Sequence, residues 1–429
     1  MKRFAYNKLI EWKNKEDRKP LIIRGARQVG KTWLMKEFAK EYKHIIYINF
    51  EDSTVLQKLF VQDFNIDRIL LSLQIESGVT ANAENTLIIF DEIQEAERGL
   101  TSLKYFHENA PEYHIIAAGS YLGISIQKNA SFPVGKVEFL DLYPLSFSEF
   151  LIAKGEDNLY NVLQQKQWDI ITQFKHKLIE LLKLYYYIGG MPEVVNDYIT
   201  KEDFTSVRNI QNQLLIAYEQ DFAKHAPTST IPRIRLVWNS LPAQLSKENR
   251  KFVFNMIKKG ARAKDFEMAI EWLKDSGLIY QINRINKPGL PLSSYQDFGA
   301  YKLFMLDIGL LGAMTKLDPK TITNGSKIFE EFKGALTENY VLQQLIINKT
   351  LDIFYWSAEK SSGEIDFIIQ QESNIYPLEV KAEENLKAKS LRVFKDKYKI
   401  QKSYRTSMAN FRKEDWLENI PLYAIGNNF

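Results

Sequence analysis

Along the first third of the chain, short apolar runs alternate with stretches whose apolar residues recur at helical spacing. The runs at 21–23, 45–49, 87–90 and 114–118 read as strands, with helical patterns between them. That alternation predicts a parallel sheet with crossover helices over residues 1–152. From 151 to 184 the pattern is that of an amphipathic helix. It ends at Tyr185-Tyr186-Tyr187-Ile188-Gly189-Gly190-Met191-Pro192, where paired glycines and a proline signal a stop and a turn. Helical patterns return at 233–245, 251–259 and 263–276. A strand then opens at Gly277-Leu278-Ile279-Tyr280, and Asn286-Lys287-Pro288-Gly289 marks a hairpin turn. Three helices and a hairpin in this order predict a winged helix-turn-helix within a middle domain, residues 153–320. Residues 321–429 read as a third, α/β domain, with a helix near 329–347 and strands at 353–356, 363–369 and 375–381. The expected class is therefore multidomain α/β.

The first strand runs directly into Gly25-Ala26-Arg27-Gln28-Val29-Gly30-Lys31-Thr32 and then into a helical pattern at 33–38. Strand, glycine-framed loop and helix in that order form a phosphate-binding loop, or P-loop. The glycines let the backbone close around an anion with its N–H groups inward, and the helix N-terminus adds positive charge behind it. Gly25, Gln28, Val29, Gly30, Lys31 and Thr32 are the expected nucleotide contacts. Lys31 would reach the β- and γ-phosphates, and the Thr32 hydroxyl would hold Mg²⁺.

The third run, Thr86-Leu87-Ile88-Ile89-Phe90, ends in Asp91-Glu92. A buried strand thus delivers two carboxylates at the edge where ligands of such sheets bind. Asp91 is the second expected Mg²⁺ ligand, and Glu92 the base that orients and deprotonates an attacking water. The fourth run ends Ala117-Ala118-Gly119-Ser120. Ser120 is a candidate sensor of the γ-phosphate, against the alternative of a plain turn serine. Arg27, inside the loop, receives no catalytic role.

Composition narrows the class. Hydrophobic residues are 45% and charged residues 26%, ordinary for a soluble globular protein. With no cysteine, disulfides, thiolate zinc sites and cysteine nucleophiles are excluded. The five histidines lack ligand spacing. The charged start, Met1-Lys2-Arg3, lacks the apolar core of a signal peptide, and no apolar run is long enough to span a membrane. A cytoplasmic protein without membrane contact is expected.

The net charge is only +4, but residues 231–287 hold 12 Lys/Arg against 5 Asp/Glu, or +7. A basic cluster on a winged helix suits a phosphate backbone, with Arg262, Lys264 and Lys274 on or beside the recognition helix. The competing reading is a protein-contacting winged helix with a solvated charged face. The tyrosine triplet reads as core packing ahead of a base-stacking surface.

In the last domain, side chains two apart on a strand share a face, so Glu364 pairs with Asp366 and Glu379 with Lys381. Glu338, on the preceding helix, can complete a carboxylate cluster. An acid, then Asp, then Glu-x-Lys on adjacent strands resembles the PD-(D/E)xK nuclease superfamily. Under that resemblance Glu338, Asp366 and Glu379 would hold a metal at a scissile phosphate, and Lys381 would orient or deprotonate the water. Three readings stay open: an active metal nuclease, a nuclease-like fold kept for binding, and a purely structural strand pair.

Nearly the whole chain resembles the AAA-type ATPases that carry a C-terminal domain of unknown function, a large bacterial and archaeal family. The resemblance rests on the 25–32 loop, on Phe90-Asp91-Glu92-Ile93-Gln94, on Pro144-Leu145-Ser146-Phe147-Ser148-Glu149-Phe150, on Gly189-Gly190-Met191-Pro192-Glu193-Val194 and on the C-terminal motifs. It implies ATP and Mg²⁺ as cofactors. It also implies an arginine finger shortly before Pro144, and this chain has Gly135-Lys136 instead. Lysine lacks the planar fork that grips phosphate with two hydrogen bonds. The expected function is an ATP-hydrolysing P-loop ATPase that engages nucleic acid through its winged-helix and nuclease-like domains. The alternative is a nucleotide-gated protein-binding switch. Candidate partners are ATP, double-stranded DNA and a protein, with oligomerisation open.

Overall fold

The computed structural model describes residues 1–120, 122, 133–247, 251–318, 327–358, 363–384 and 388–429. It groups into two compact units, Met1–Tyr143 with Asp275–Gly277, and Pro144–Lys274 with Leu278–Phe429.

The first unit holds five parallel strands: β1 (Leu21–Arg24), β2 (His44–Asn49), β3 (Thr86–Asp91), β4 (His114–Ala118) and β5 (Glu138–Asp141). Their order across the sheet is β2-β3-β4-β1-β5. Every residue of β3 and β4 is buried, as expected of a parallel sheet covered on both faces. The crossover helices include Lys31–Ala39, Ile66–Ser77 and Gly99–Asn109. Asn65 starts the second of these by accepting a hydrogen bond from the Arg68 amide. Phe50, Phe60, Phe90 and Phe106 pack edge-on or tilted at the core. The order sets β4 between β1 and β3, so their C-terminal ends deliver the loop, the acid pair and Ser120 to one edge.

The second unit is built on an eight-stranded mixed sheet. Its strands are β6 (Ile279–Ile285), β7 (Gln296–Met305), β8 (Leu351–Ser357), β9 (Glu364–Gln371), β10 (Asn374–Val380), β11 (Ser403–Ser407), β12 (Arg412–Lys413) and β13 (Leu417–Pro421). The order is β12-β13-β11-β10-β9-β8-β6-β7. The hairpin expected as a wing is β6–β7, and it does pair antiparallel. Yet β6 also pairs parallel with β8, Arg284 opposite Tyr355 and Ile285 opposite Trp356. The strands on either side of residue 320 thus share one sheet, and the middle and C-terminal segments form one compact unit.

Two helical expectations are corrected. The stretch 151–184 is not one helix but falls within four, Phe147–Ala153, Asp157–Gln164, Trp168–Gln173 and Lys175–Ile188. Gly155 and Lys166 take left-handed backbone at two of the joints, where a continuing helix is ruled out. The stretch 251–259 contributes a single turn, Phe254–Ile257. Its start is extended instead, because the Phe252 amide donates to the Tyr301 carbonyl and the Val253 amide to the Gln244 side chain. Helices Ile231–Leu245 and Ala263–Asp275 form as expected.

The tyrosine triplet is core: Tyr185, Tyr186 and Tyr187 are all buried. The turn after it is held by Asp307, whose carboxylate accepts from the Gly190 amide at 2.6 Å and the Leu310 amide at 3.0 Å. A Cβ at Gly190 would overlap the Leu145 carbonyl, so the paired glycines are required by close backbone approach. Burial raises the Asp307 carboxyl to about 6 against the pull of these amides.

Candidate functional site

The phosphate loop leaves β1 at Gly25, whose φ of +151° suits glycine, and a Cβ there would overlap the Leu142 carbonyl oxygen. Gln28 and Gly30 both take positive φ, 69° and 93°, which curls the loop before helix Lys31–Ala39 begins. Val29 is fully buried and anchors the loop from behind. The Lys31 ammonium is also buried, and it donates to the Gly25 carbonyl at 3.0 Å and the Ala26 carbonyl at 2.9 Å. The lysine thus lies folded over the loop's own backbone. Burial pushes it down to about 8, against the opposing pull of Glu92 and Asp91.

Asp91 ends β3. Its Oδ2 accepts from the Thr32 hydroxyl at 2.8 Å and from the Tyr47 hydroxyl at 2.8 Å. Two oxygen donors therefore converge at the start of the loop's helix, a set that fits a hard divalent cation. Mg²⁺ takes few protein ligands and completes its shell with water and phosphate oxygen.

Glu92 follows in left-handed backbone, φ 49° and ψ 45°. For a residue with a Cβ this conformation costs about 1–3 kcal/mol, and such strain collects at functional sites. The kink turns the side chain away from Asp91 and towards β4. There its Oε2 accepts from the Gln94 amide nitrogen at 2.6 Å and from the Ser120 backbone amide at 2.9 Å. Its Oε1 accepts from the Ser120 hydroxyl at 3.1 Å. Burial pushes the Glu92 carboxyl up, but Gln94, Ser120 and the Lys31 charge outweigh it and hold it below the usual carboxylate range. Ser120 thus sits beside the acid pair as a partner of Glu92.

Lys136 forms an ion pair with Glu108 at 3.0 Å within the same unit. Three further side chains support the site. Buried Arg3 donates to the Val29 carbonyl at 2.9 Å and the Tyr143 carbonyl at 2.6 Å, bracing the loop. Tyr47 steadies Asp91, and Gln94 steadies Glu92. Gln94 lies two residues past Glu92, so its spacing was a readable signal. Arg3 and Tyr47 are brought in from afar, with no local pattern to mark them.

The C-terminal acids lie among neighbouring charges and backbone amides. Among the described residues no group of three or more His, Asp or Glu side chains is arranged to hold a metal ion. Each expected ligand already has a role. Glu338 lies 3.6 Å from the ammonium of Lys302, a fully buried lysine from β7 that also pairs with Glu364. Asp366 accepts from the Val380 amide at 2.7 Å. Glu379 pairs with Lys381 at 2.7 Å, and burial still pushes its carboxyl up. One oxygen of Glu379 pairs with the Lys381 ammonium, and the other is buried without a hydrogen-bond partner.

Residues 17–151 match the family model described as an AAA domain. Residues 179–321 and 333–425 match two successive models described as domains of unknown function, DUF8612 and DUF4143. The parallel sheet with its phosphate loop is accordingly the P-loop ATPase-like part of the chain. An uncharacterized protein of Haemophilus influenzae is 26% identical over 195 residues, which cover 44% of this chain and 42% of that one. The match thus spans less than half the length of that relative. Among solved structures, the Walker-type ATPase of Pyrococcus abyssi superposes with a TM-score of 0.45 at 17% identity, over 72% of this chain and 94% of that one. The Aeropyrum pernix ORC1 protein in complex with DNA gives 0.30 at 11% identity, over 73% and 91%. No helix among the described residues is long and apolar enough to cross a membrane.

The charge pattern at the C-terminal acids makes a direct prediction. Titration of nucleotide-free Lys31→Ala protein with Mn²⁺, followed by electron paramagnetic resonance, should show no saturable submillimolar site. Stoichiometric binding that Asp366→Ala abolishes would contradict it.

Proposed function

We propose that the first unit binds ATP with Mg²⁺ and hydrolyses it, and that hydrolysis changes how the chain engages nucleic acid. The observation carrying the catalytic part is the pairing of two carboxylates with distinct tasks on adjacent residues. Asp91 is tied to the Thr32 hydroxyl, and Glu92 is turned aside by its left-handed backbone towards Ser120.

The chemistry follows from what these groups touch. Inward amides of the curled loop bind phosphate oxygens, and the helix N-terminus favours their charge. Lys31 exchanges its two carbonyl partners for the β- and γ-phosphates, which offer a full negative charge to an ammonium that burial otherwise penalises. Mg²⁺ held by Thr32 and Asp91 supplies neutralisation of the phosphate oxygens. Glu92, ionised and aimed by Gln94 and Ser120, takes the proton of the attacking water. Ser120 acts here as a positioning residue for Glu92, a role distinct from direct sensing of the γ-phosphate.

A second reading, a nucleotide-gated switch that binds another protein, is favoured by one observation. Lys136, at the position implied for an arginine finger, is paired with Glu108 in its own unit. Slow hydrolysis without a finger suits a switch. No nuclease step is proposed for the C-terminal domain.

Isothermal titration of Lys31→Ala with ATP and Mg²⁺ should show affinity reduced by about a hundredfold or more, through loss of a charge-assisted contact, with thermal unfolding unchanged. Affinity equal to that of the parent would remove the site assignment. For the finger position, Lys136→Ala should leave ATP turnover within about twofold of the parent at every protein concentration, since an exposed ion pair contributes little. A large, concentration-dependent loss would instead establish Lys136 as a group acting across an interface.

A further inference from the structure

The helix expected to enter nucleic acid does not itself carry the charge for it, although residues 231–287 as a whole are +7. Helix Ala263–Asp275, the expected recognition helix, bears Lys264 and Lys274 against Asp265, Glu267, Glu271 and Asp275, a net of −2. Lys274 is further tied to Glu271 at 2.8 Å. A helix of that sign is repelled by a phosphate backbone.

The opposite holds at a helix that the sequence reading passed over. Helix Lys389–Tyr398 carries Lys389, Arg392, Lys395 and Lys397 against Asp396 alone, a net of +3, and Lys399 and Lys402 follow it. Helix Lys389–Tyr398 buries Leu391 and Phe394 in its own unit, and Phe394 packs on Trp356 and Tyr398 with ring centroids 4.9 Å apart in each case. That anchoring leaves Lys389, Arg392 and Lys397 exposed along a broad stripe that spans about 140° of the helix, with Arg392 one turn from Lys389. Lys399, with left-handed backbone, caps the stripe and adds its charge at the end where a cation is favoured. Lys389, Arg392 and Lys399 have no ion-pair partner among the described residues, whereas Lys395 pairs with Asp396 and Lys402 with Glu418.

We propose that this ridge, Lys389-Arg392-Lys397-Lys399, is the surface through which the second unit holds a nucleic-acid phosphate backbone. The proposal rests on the nucleic-acid part of the reading above, and relocates it from the winged helix to the C-terminal sheet. A phosphate backbone fits better than a membrane surface, because the helix's apolar face is already buried in the protein and Val393 is its sole exposed large hydrophobic residue. Contacts to the backbone alone carry no base readout, so binding is insensitive to sequence.

The test is fluorescence anisotropy of a short random-sequence DNA duplex at stepped KCl, using full-length protein. The ridge variant is Lys389→Gln/Arg392→Gln/Lys399→Gln, and the control is Arg262→Gln/Lys264→Gln/Lys274→Gln. The ridge variant should bind about tenfold more weakly at low salt, with the log–log salt slope shallower by about 2–3, while the control stays within about twofold of the parent. ATP binding and the thermal midpoint report that the variants are folded. Should the triple variant fail that check, Arg392→Gln alone should flatten the slope by about one unit. If the ridge variant binds like the parent, the ridge is overturned and nucleic-acid engagement stands. Absence of parent binding at low salt overturns both.

Discussion

The Asp91 carboxylate is the constraint on which the nucleotide site depends. One of its oxygens receives the Thr32 hydroxyl from the start of the loop's helix and the Tyr47 hydroxyl from the neighbouring strand. Those two bonds fix the distance between loop and acid strand before any ligand arrives. They need β1 and β3 to end level, and the fully buried β4 between them enforces that. Arg3 then secures the loop from behind through the Val29 carbonyl. With the frame rigid, the backbone kink at Glu92 becomes affordable, and the second carboxylate is delivered to a separate place with separate partners. Two adjacent acids thus acquire different tasks, a division that environment rather than residue type decides.

The second unit handles its charges differently. In that unit buried Glu338 and half-buried Glu364 lie beside Lys302, Glu379 pairs with Lys381 through one oxygen, and Asp366 and Asp307 accept from backbone amides. Its outward charge is concentrated where a helix has already spent its apolar face on the core. The first unit carries the phosphate loop, and the second an exposed cationic ridge on helix Lys389–Tyr398.

Local order was legible in the sequence wherever one physical rule governs it. Strands β3 and β4 appear where expected because fully buried parallel strands must be continuous apolar runs, and β1 and part-exposed β2 also fall at their apolar runs. The glycines and Lys31 of the loop, and the Asp91-Glu92 pair, lie where their motif spacing puts them. What could not be read depends on tertiary choice. Residues 151–184 keep helical periodicity across two left-handed breaks, so periodicity alone suggests one helix. The β6–β7 hairpin looks like a free wing until β8 arrives from some seventy residues later in the chain to pair with it. Lys302 is one lysine in an unremarkable strand, and no spacing links it to Glu338 or Glu364. The Glu-x-Lys pattern was visible, and its two side chains pair with each other. Ser120 was placed at the right strand end, with its nearest partner, Glu92, left to be found in three dimensions.

The central claim is that Glu92, held by Gln94 and Ser120, is the base of an ATP-hydrolysing site. Steady-state phosphate release from ATP by Glu92→Gln, set beside its ATP affinity, measures that claim most directly. The account predicts ATP affinity like the parent's and turnover lower by about 10²–10⁴, the contribution of a positioned general base. Turnover within a few-fold of the parent, with ATP still bound, would contradict it.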